Sequence, residues 1–77
     1  MNNIRRKRLS ALRDELEKIA GELEDVKSDE QEYMDNMPEN LQGSSRYEAA
    51  ELAVSSMEDA IDSIQTAIDS IQEAEDQ

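Results

Sequence analysis

The stretch AIDSIQTAIDSIQEA, residues 60–74, decides the fold of this chain. Isoleucine recurs at positions 61, 64, 68 and 71, and alanine stands at positions 60, 67 and 74. Steps of three and four place the isoleucines along one line of a helix, a pattern typical of paired helices. The alanines widen this line and allow another helix to approach closely.

A second seam of this kind lies in the first half of the chain. Its apolar residues begin at Leu9 and continue to Met37, and only Glu30 interrupts the series. No stretch alternates with period two, so strands are not expected. We therefore predict two helices that meet through core or dimer-seam residues. These are Leu12, Leu16, Ile19, Leu23 and Val26 in the first helix and Val54, Met57, Ile61, Ile64, Ile68 and Ile71 in the second.

The segment between the two seams carries clear breaking signals. Pro38 is the only proline, and it cannot continue a helix without losing a backbone donor. Ser45 and Glu48 match a capping box, which predicts that the second helix begins near Arg46. We expect helix 1 at about 3–36, a loop at about 37–45 with one short turn around 39–42, and helix 2 at about 46–75.

The short loop predicts an all-α fold, an antiparallel two-helix hairpin in a single domain of residues 1–77. Folding the chain about residue 41 pairs residues whose numbers add up to about 83, so Ile19 should face Ile64 and Val26 should face Met57. The alanines make the apolar stripe broader than a two-helix seam requires. We therefore expect a homodimer that forms a four-helix bundle.

Charge is the strongest compositional feature of the chain. The 77 residues include 20 acids against 8 basic residues, a net charge of −12, and there is no cysteine or histidine. Five basic residues and no acid lie in residues 1–13, so the rest of the chain is strongly acidic. This balance disfavours nucleic acid as a partner and permits binding to a basic protein surface.

The acidic side chains form the first candidate site. Carboxylates at regular spacing on a rod could imitate the phosphates of duplex DNA; the alternative is a solvated face that keeps the protein soluble. The candidate partner-binding acids are Glu15, Glu22, Asp25, Asp29, Glu51, Glu58, Asp62 and Asp69.

The basic end, Arg5, Arg6, Lys7 and Arg8, forms the second candidate site. The hairpin should bring it near Glu73, Glu75 and Asp76, and pairing with these acids, within the chain or across the dimer, is the leading interpretation. Contact with a partner protein or with nucleic acid is the alternative. In the loop, Tyr33, Met37, Leu41 and Tyr47 are expected to close the end of the hairpin.

Catalytic, metal and cofactor sites are not expected. The chain lacks histidine, cysteine and a glycine-rich phosphate loop, and a two-helix rod offers no evident cavity for a carboxylate with a shifted pKa. No apolar stretch is long enough to span a bilayer, and no apolar segment follows the basic start as in a secretory signal. We expect a cytoplasmic protein that is not an enzyme and does not enter a membrane.

Three segments, taken in order, resemble short acidic proteins encoded in prophages and mobile elements of Gram-positive bacteria. They are IRRKRL (4–9), YMDNMPENLQGSSRYEAAE (33–51) and AIDSIQTAIDSIQEA (60–74). The group has no settled biochemical role, so the resemblance transfers no functional residues. It implies an interaction protein that binds a basic host protein, as an inhibitor of host defence or DNA handling. A purely structural bundle or adaptor is the alternative.

Overall fold

A computed structural model describes residues 1–77 as two long helices joined by a short loop. Helix α1 spans Asn3–Asp35 and helix α2 spans Ser45–Glu75, with a 3-10 helix at Glu39–Leu41 between them. The chain contains no strand. The two helices pack against each other in an antiparallel hairpin whose Cα atoms extend over 59 × 14 × 12 Å. The predicted all-α hairpin is therefore confirmed.

Local signals set the two ends of α1. At its start, the side chain of Asn2 accepts a hydrogen bond from the backbone N–H of Arg5 at 2.9 Å, which satisfies one of the free donors of the first turn. At its end, the backbone N–H of Met37 bonds to the carbonyl of Met34 at 3.1 Å, which tightens the last turn. Pro38 then stops the helix, because it has no N–H and disfavours helical backbone at Met37.

The loop reverses the chain through the short turn that was expected around residues 39–42. The N–H of Leu41 bonds to the carbonyl of Pro38 at 2.9 Å, and the N–H of Ser44 bonds to the carbonyl of Leu41 at 3.0 Å. These bonds satisfy backbone groups of a segment that lies outside the two long helices.

The start of α2 differs from the prediction by one residue. Ser44, not Ser45, is the N-cap: its backbone is extended, and its hydroxyl accepts a hydrogen bond from the N–H of Tyr47 at 3.3 Å. Tyr47 therefore occupies the third helical position, and Glu48 does not complete the predicted capping box. Both adjacent serines have a side chain that could cap the helix, but only Ser44 has the extended backbone that an N-cap needs.

Contacts between the helices fix the register of the hairpin. Met34 packs against Ala50 and Val54, and two ion pairs join Lys27 to Glu58 and Arg13 to Glu75. The residue numbers of these pairs add up to 84–88 (34 and 50, 34 and 54, 27 and 58, 13 and 75). The register therefore lies slightly beyond the predicted total of about 83.

The face that α1 turns toward α2 is rotated from the predicted seam. Leu12, Ile19 and Val26 do not lie in the α1–α2 interface, since each is about half exposed. Ala20, not Ile19, lies in the interface level with Ile64. Lys27, not Val26, lies there level with Met57. A continuous series of buried or partly buried residues runs along α1 in steps of four and three: Leu9, Arg13, Leu16, Ala20, Leu23, Lys27, Glu30, Met34 and Met37.

Long charged side chains explain this rotation. Arg13 and Lys27 can lay their aliphatic stems along the seam while their charged groups reach Glu75 and Glu58 of α2. The face of α2 is as predicted, and its series is Tyr47, Ala50, Val54, Met57, Ile61, Ile64, Ile68 and Ile71.

The N-cap assignment predicts different effects for two adjacent serines. We expect Ser44→Ala to lower the free energy of unfolding by about 1 kcal/mol, because the N–H of Tyr47 loses its acceptor. Ser45→Ala, inside the first turn, is the matched control and should change stability by less than about 0.5 kcal/mol. Urea unfolding followed by circular dichroism measures both, and a larger loss for Ser45→Ala would contradict the assignment.

Candidate functional site

A line of large apolar side chains on α1 is left without a partner. Leu12, Ile19, Val26 and Tyr33 are 51%, 49%, 55% and 48% exposed. Their constant spacing of seven residues keeps them in the same position relative to the inward face. We call them the open row. It is about 32 Å long at 1.5 Å per residue.

A row of alanines on α2 lies on the same flank of the hairpin. Each open-row residue immediately precedes an inward residue of α1, as Ile19 precedes Ala20. In α2, Ala53, Ala60 and Ala67 likewise precede inward residues. Two antiparallel helices are related by a two-fold axis perpendicular to their common plane, so equivalent positions share a flank. The alanine row is Ala53, Ala60, Ala67 and Ala74.

Together these two rows form what we call the open face. In the register of the hairpin, Leu12 lies level with Ala74, Ile19 with Ala67, Val26 with Ala60, and Tyr33 with Ala53. Each level of the open face therefore combines one large side chain with one alanine.

The open face ends in a cleft at each end of the rod. At the loop, a cleft of about 560 Å³ is lined by Tyr33, Asn36, Met37, Pro38, Leu41, Ser44 and Arg46. At the termini, a smaller cleft of about 200 Å³ is lined by Met1, Arg5, Arg8, Leu9 and Leu12. Tyr47 packs against the small buried cluster, as expected of a residue that closes the hairpin. Tyr33 and Leu41, expected to do the same, stay about half exposed at the cleft.

The candidate acidic residues are all exposed but do not form one face. Glu58 approaches Lys27 on the flank opposite the open face, at 4.0 Å. Helical spacing puts Glu51, Asp62 and Asp69 on that same flank, which we call the polar side. Of the acids on α1, Glu15, Glu22 and Asp29 border the open face and Asp25 points away from α2. The structure thus places four of the eight acids on the polar side and three beside the open face, while Asp25 belongs to neither group.

The basic end pairs with α2, though not as predicted. Of the four basic-end residues, only Arg6 forms hydrogen bonds with the C-terminal end of the chain, and it donates to the backbone carbonyls of Glu75 and Gln77 at 3.1 and 2.9 Å. The carboxylate of Glu75 instead binds Arg13. Arg5, Lys7 and Arg8 form no ion pair within the chain.

Arg13 and Glu75 form the best-shielded ion pair of the hairpin. Nε of Arg13 lies 2.9 Å from Oε2 of Glu75, and these side chains are 23% and 14% exposed. This short contact is not a well-aligned hydrogen bond; the hydrogen bond is donated by Nη2 to Oε1 at 3.3 Å. Sequence reasoning missed Arg13, although its position between Leu9 and Leu16 at helical spacing was a usable signal.

No group of three or more acidic side chains lies close enough together to hold a metal ion. Neither helix is sufficiently long and apolar to cross a membrane.

Fold and surface define a class: an acidic two-helix hairpin with one open apolar face and one polar side. Comparisons of the chain with protein-family models, with curated proteins and with solved structures give no match.

The different shielding of two ion pairs predicts different coupling energies. A double-mutant cycle with Arg13→Ala and Glu75→Ala should give a coupling of about 1–2 kcal/mol, since both groups are largely removed from water. The same cycle for Lys27 and Glu58, in which the Glu58 side chain is 56% exposed, is the matched control and should give below about 0.5 kcal/mol. Urea unfolding of the variants measures both, and equal couplings would contradict this ranking.

Proposed function

We propose that this protein is a non-enzymatic interaction module that acts as a homodimer. Two hairpins bury their open faces against each other and form a four-helix bundle. The polar sides, which remain outside, bind a basic protein surface. The observation that carries the proposal is the open row, four large apolar side chains about half exposed along one line.

The shortage of buried residues supports the dimer. Only Met34, Ala50, Val54 and Ile68 are buried in the single hairpin, and a small domain with so thin a core gains little stability from it. Two packed helices are roughly 20 Å wide. With the clefts at its ends, the open face offers roughly 800 Å² per copy, the size of a standard specific interface.

The distribution of charge supports a basic protein as the partner. Glu51, Glu58, Asp62 and Asp69 lie on the flank that the bundle would leave free, and helix α2 has no basic residue after Arg46. Regular carboxylates on a rigid rod attract a surface that has evolved to bind phosphates. The resemblance to mobile-element proteins makes a cytoplasmic host DNA-binding protein the partner class that we propose.

The dimer proposal predicts different effects for substitutions at two adjacent residues. Ile19→Gln places an amide in the middle of the open face and should weaken dimerisation at least about tenfold, because both copies lose a buried side chain. Lys18→Gln, one residue away on the exposed side, is the matched control and should leave the dimer unchanged. Sedimentation equilibrium measures the dissociation constants.

Circular dichroism should show that Ile19→Gln keeps its helices, since Ile19 lies outside the α1–α2 interface. A wild-type protein that is monomeric at tens of micromolar, or equal dissociation constants for both variants, would refute the dimer.

The partner proposal predicts that position, and not only total charge, controls binding. A polar-side variant carries Glu51→Gln, Glu58→Gln and Asp62→Asn. A control with the same net charge carries Glu32→Gln, Asp59→Asn and Glu73→Gln. Each protein is immobilised and incubated with bacterial lysate. Duplex DNA is then added, and the captured proteins that it displaces are identified by mass spectrometry.

We expect wild type and control to capture the same DNA-displaceable proteins and the polar-side variant to lose them. Capture should also fall steeply as salt rises, because the contact is between exposed charges. If all three proteins capture the same set, the polar side is only a solvated surface and the partner proposal is wrong.

A further inference from the structure

We propose that the second copy packs with its loop at the same end, so that α1 of each hairpin lies on α2 of its partner. This inference rests on the proposed dimer and specifies which surfaces meet. The two-fold axis of such a bundle runs along the rod. An opposite arrangement, with the axis across the rod and the loops at opposite ends, is the alternative.

Side-chain size favours loops at the same end. Each level of the open face has one large residue on α1 and one alanine on α2. With loops at the same end, Ile19 lies on the partner's Ala67 and Val26 lies on the partner's Ala60. Large side chains then meet small ones at all four levels, which gives even spacing and interdigitated layers.

The opposite arrangement places large side chains on large ones and alanines on alanines. Ile19 would meet the partner's Val26 and Leu12 would meet the partner's Tyr33, while alanine would meet alanine on the other side of the bundle. The two hairpins would be wedged apart along α1 and leave voids along α2. Voids of this kind cost packing energy that increases with their volume.

A row of acids and a row of serines support the same arrangement. Glu15, Glu22 and Asp29 border the open face on α1, and Ser70, Ser63 and Ser56 border it on α2 at the same three levels. With loops at the same end, every carboxylate faces a serine hydroxyl of the partner, which can donate a hydrogen bond to it. With loops at opposite ends, Glu22 would face the partner's Glu22 and Glu15 would face the partner's Asp29.

The ends of the rod add charge complementarity. Arg8, which forms no ion pair within the chain, would lie level with the partner's Gln77, beside the partner's Asp76. At the loop end, Arg46 would lie near the partner's Glu39.

Loops at opposite ends would instead separate the two acidic loop regions. That advantage is small, because repulsion between exposed charges is screened beyond about 8 Å at physiological salt. The close contacts along the face therefore decide the orientation.

Single cysteines test the orientation directly, since the native chain has none. A chain with Ile19→Cys, carrying a mass tag, is mixed with an untagged chain with Ala67→Cys or with Val26→Cys. Each mixture is oxidised, and the mixed disulfide is measured on a non-reducing gel. Val26→Cys with Ala60→Cys repeats the first test at the next level. Lys18→Cys with Thr66→Cys, both exposed and off the open face, measures chance collisions.

We expect Ile19→Cys with Ala67→Cys, and Val26→Cys with Ala60→Cys, to exceed the collision control by about tenfold or more, because the bundle holds the thiols together. Ile19→Cys with Val26→Cys should stay at the control level. If that pair predominates in a protein that sediments as a dimer, the orientation is wrong but the dimer stands. If wild type sediments as a monomer and all pairs match the control, both the orientation and the dimer are wrong.

Discussion

The structure depends on one geometric constraint: two helices in a hairpin can bury only one seam between them. Each helix of this chain carries more apolar rows than a single seam can use. On α1 the row through Leu16 and Leu23 faces the seam, and the open row beside it is left in contact with water. The half-exposed open row follows from this surplus, and the core between the two helices stays thin. A chain in this condition gains stability from a second surface that covers the open face.

The constraint also explains how far sequence reasoning could reach. The bounds of the helices and the position of the loop could be predicted from the sequence, because Pro38 and the apolar period are local signals. The rotation of α1 was not, because the Leu12 row is as apolar as the Leu16 row, and hydropathy ranks both above the row that holds Arg13 and Lys27. Arg13 packs inward because its stem covers apolar surface and its guanidinium reaches Glu75, a partner 62 residues away in the chain. The spacing of apolar residues carries no information about an ion-pair partner so distant in the sequence.

The same limit applied to the candidate site. Sequence reasoning could identify exposed carboxylates, since acids away from the apolar rows are expected in water. It could not divide them, because the side of the hairpin on which an acid lies depends on the rotation of its helix. Once Lys27 and Glu58 mark the polar side, Glu51 and Glu58 lie on one flank, and Glu15 and Glu22 lie beside the open face on the other.

This division separates two kinds of interaction by their response to salt. Each copy has a net charge of −12, so bringing two copies together is opposed by repulsion between like charges, which salt screens. Attraction between the polar side and a basic protein is screened by the same ions. For the proposed dimer and the proposed partner, added salt should therefore strengthen assembly through the open face and weaken binding through the polar side. Because apolar burial would drive the first proposed interaction and charge the second, a rise in salt should release the proposed partner while the proposed bundle stays intact.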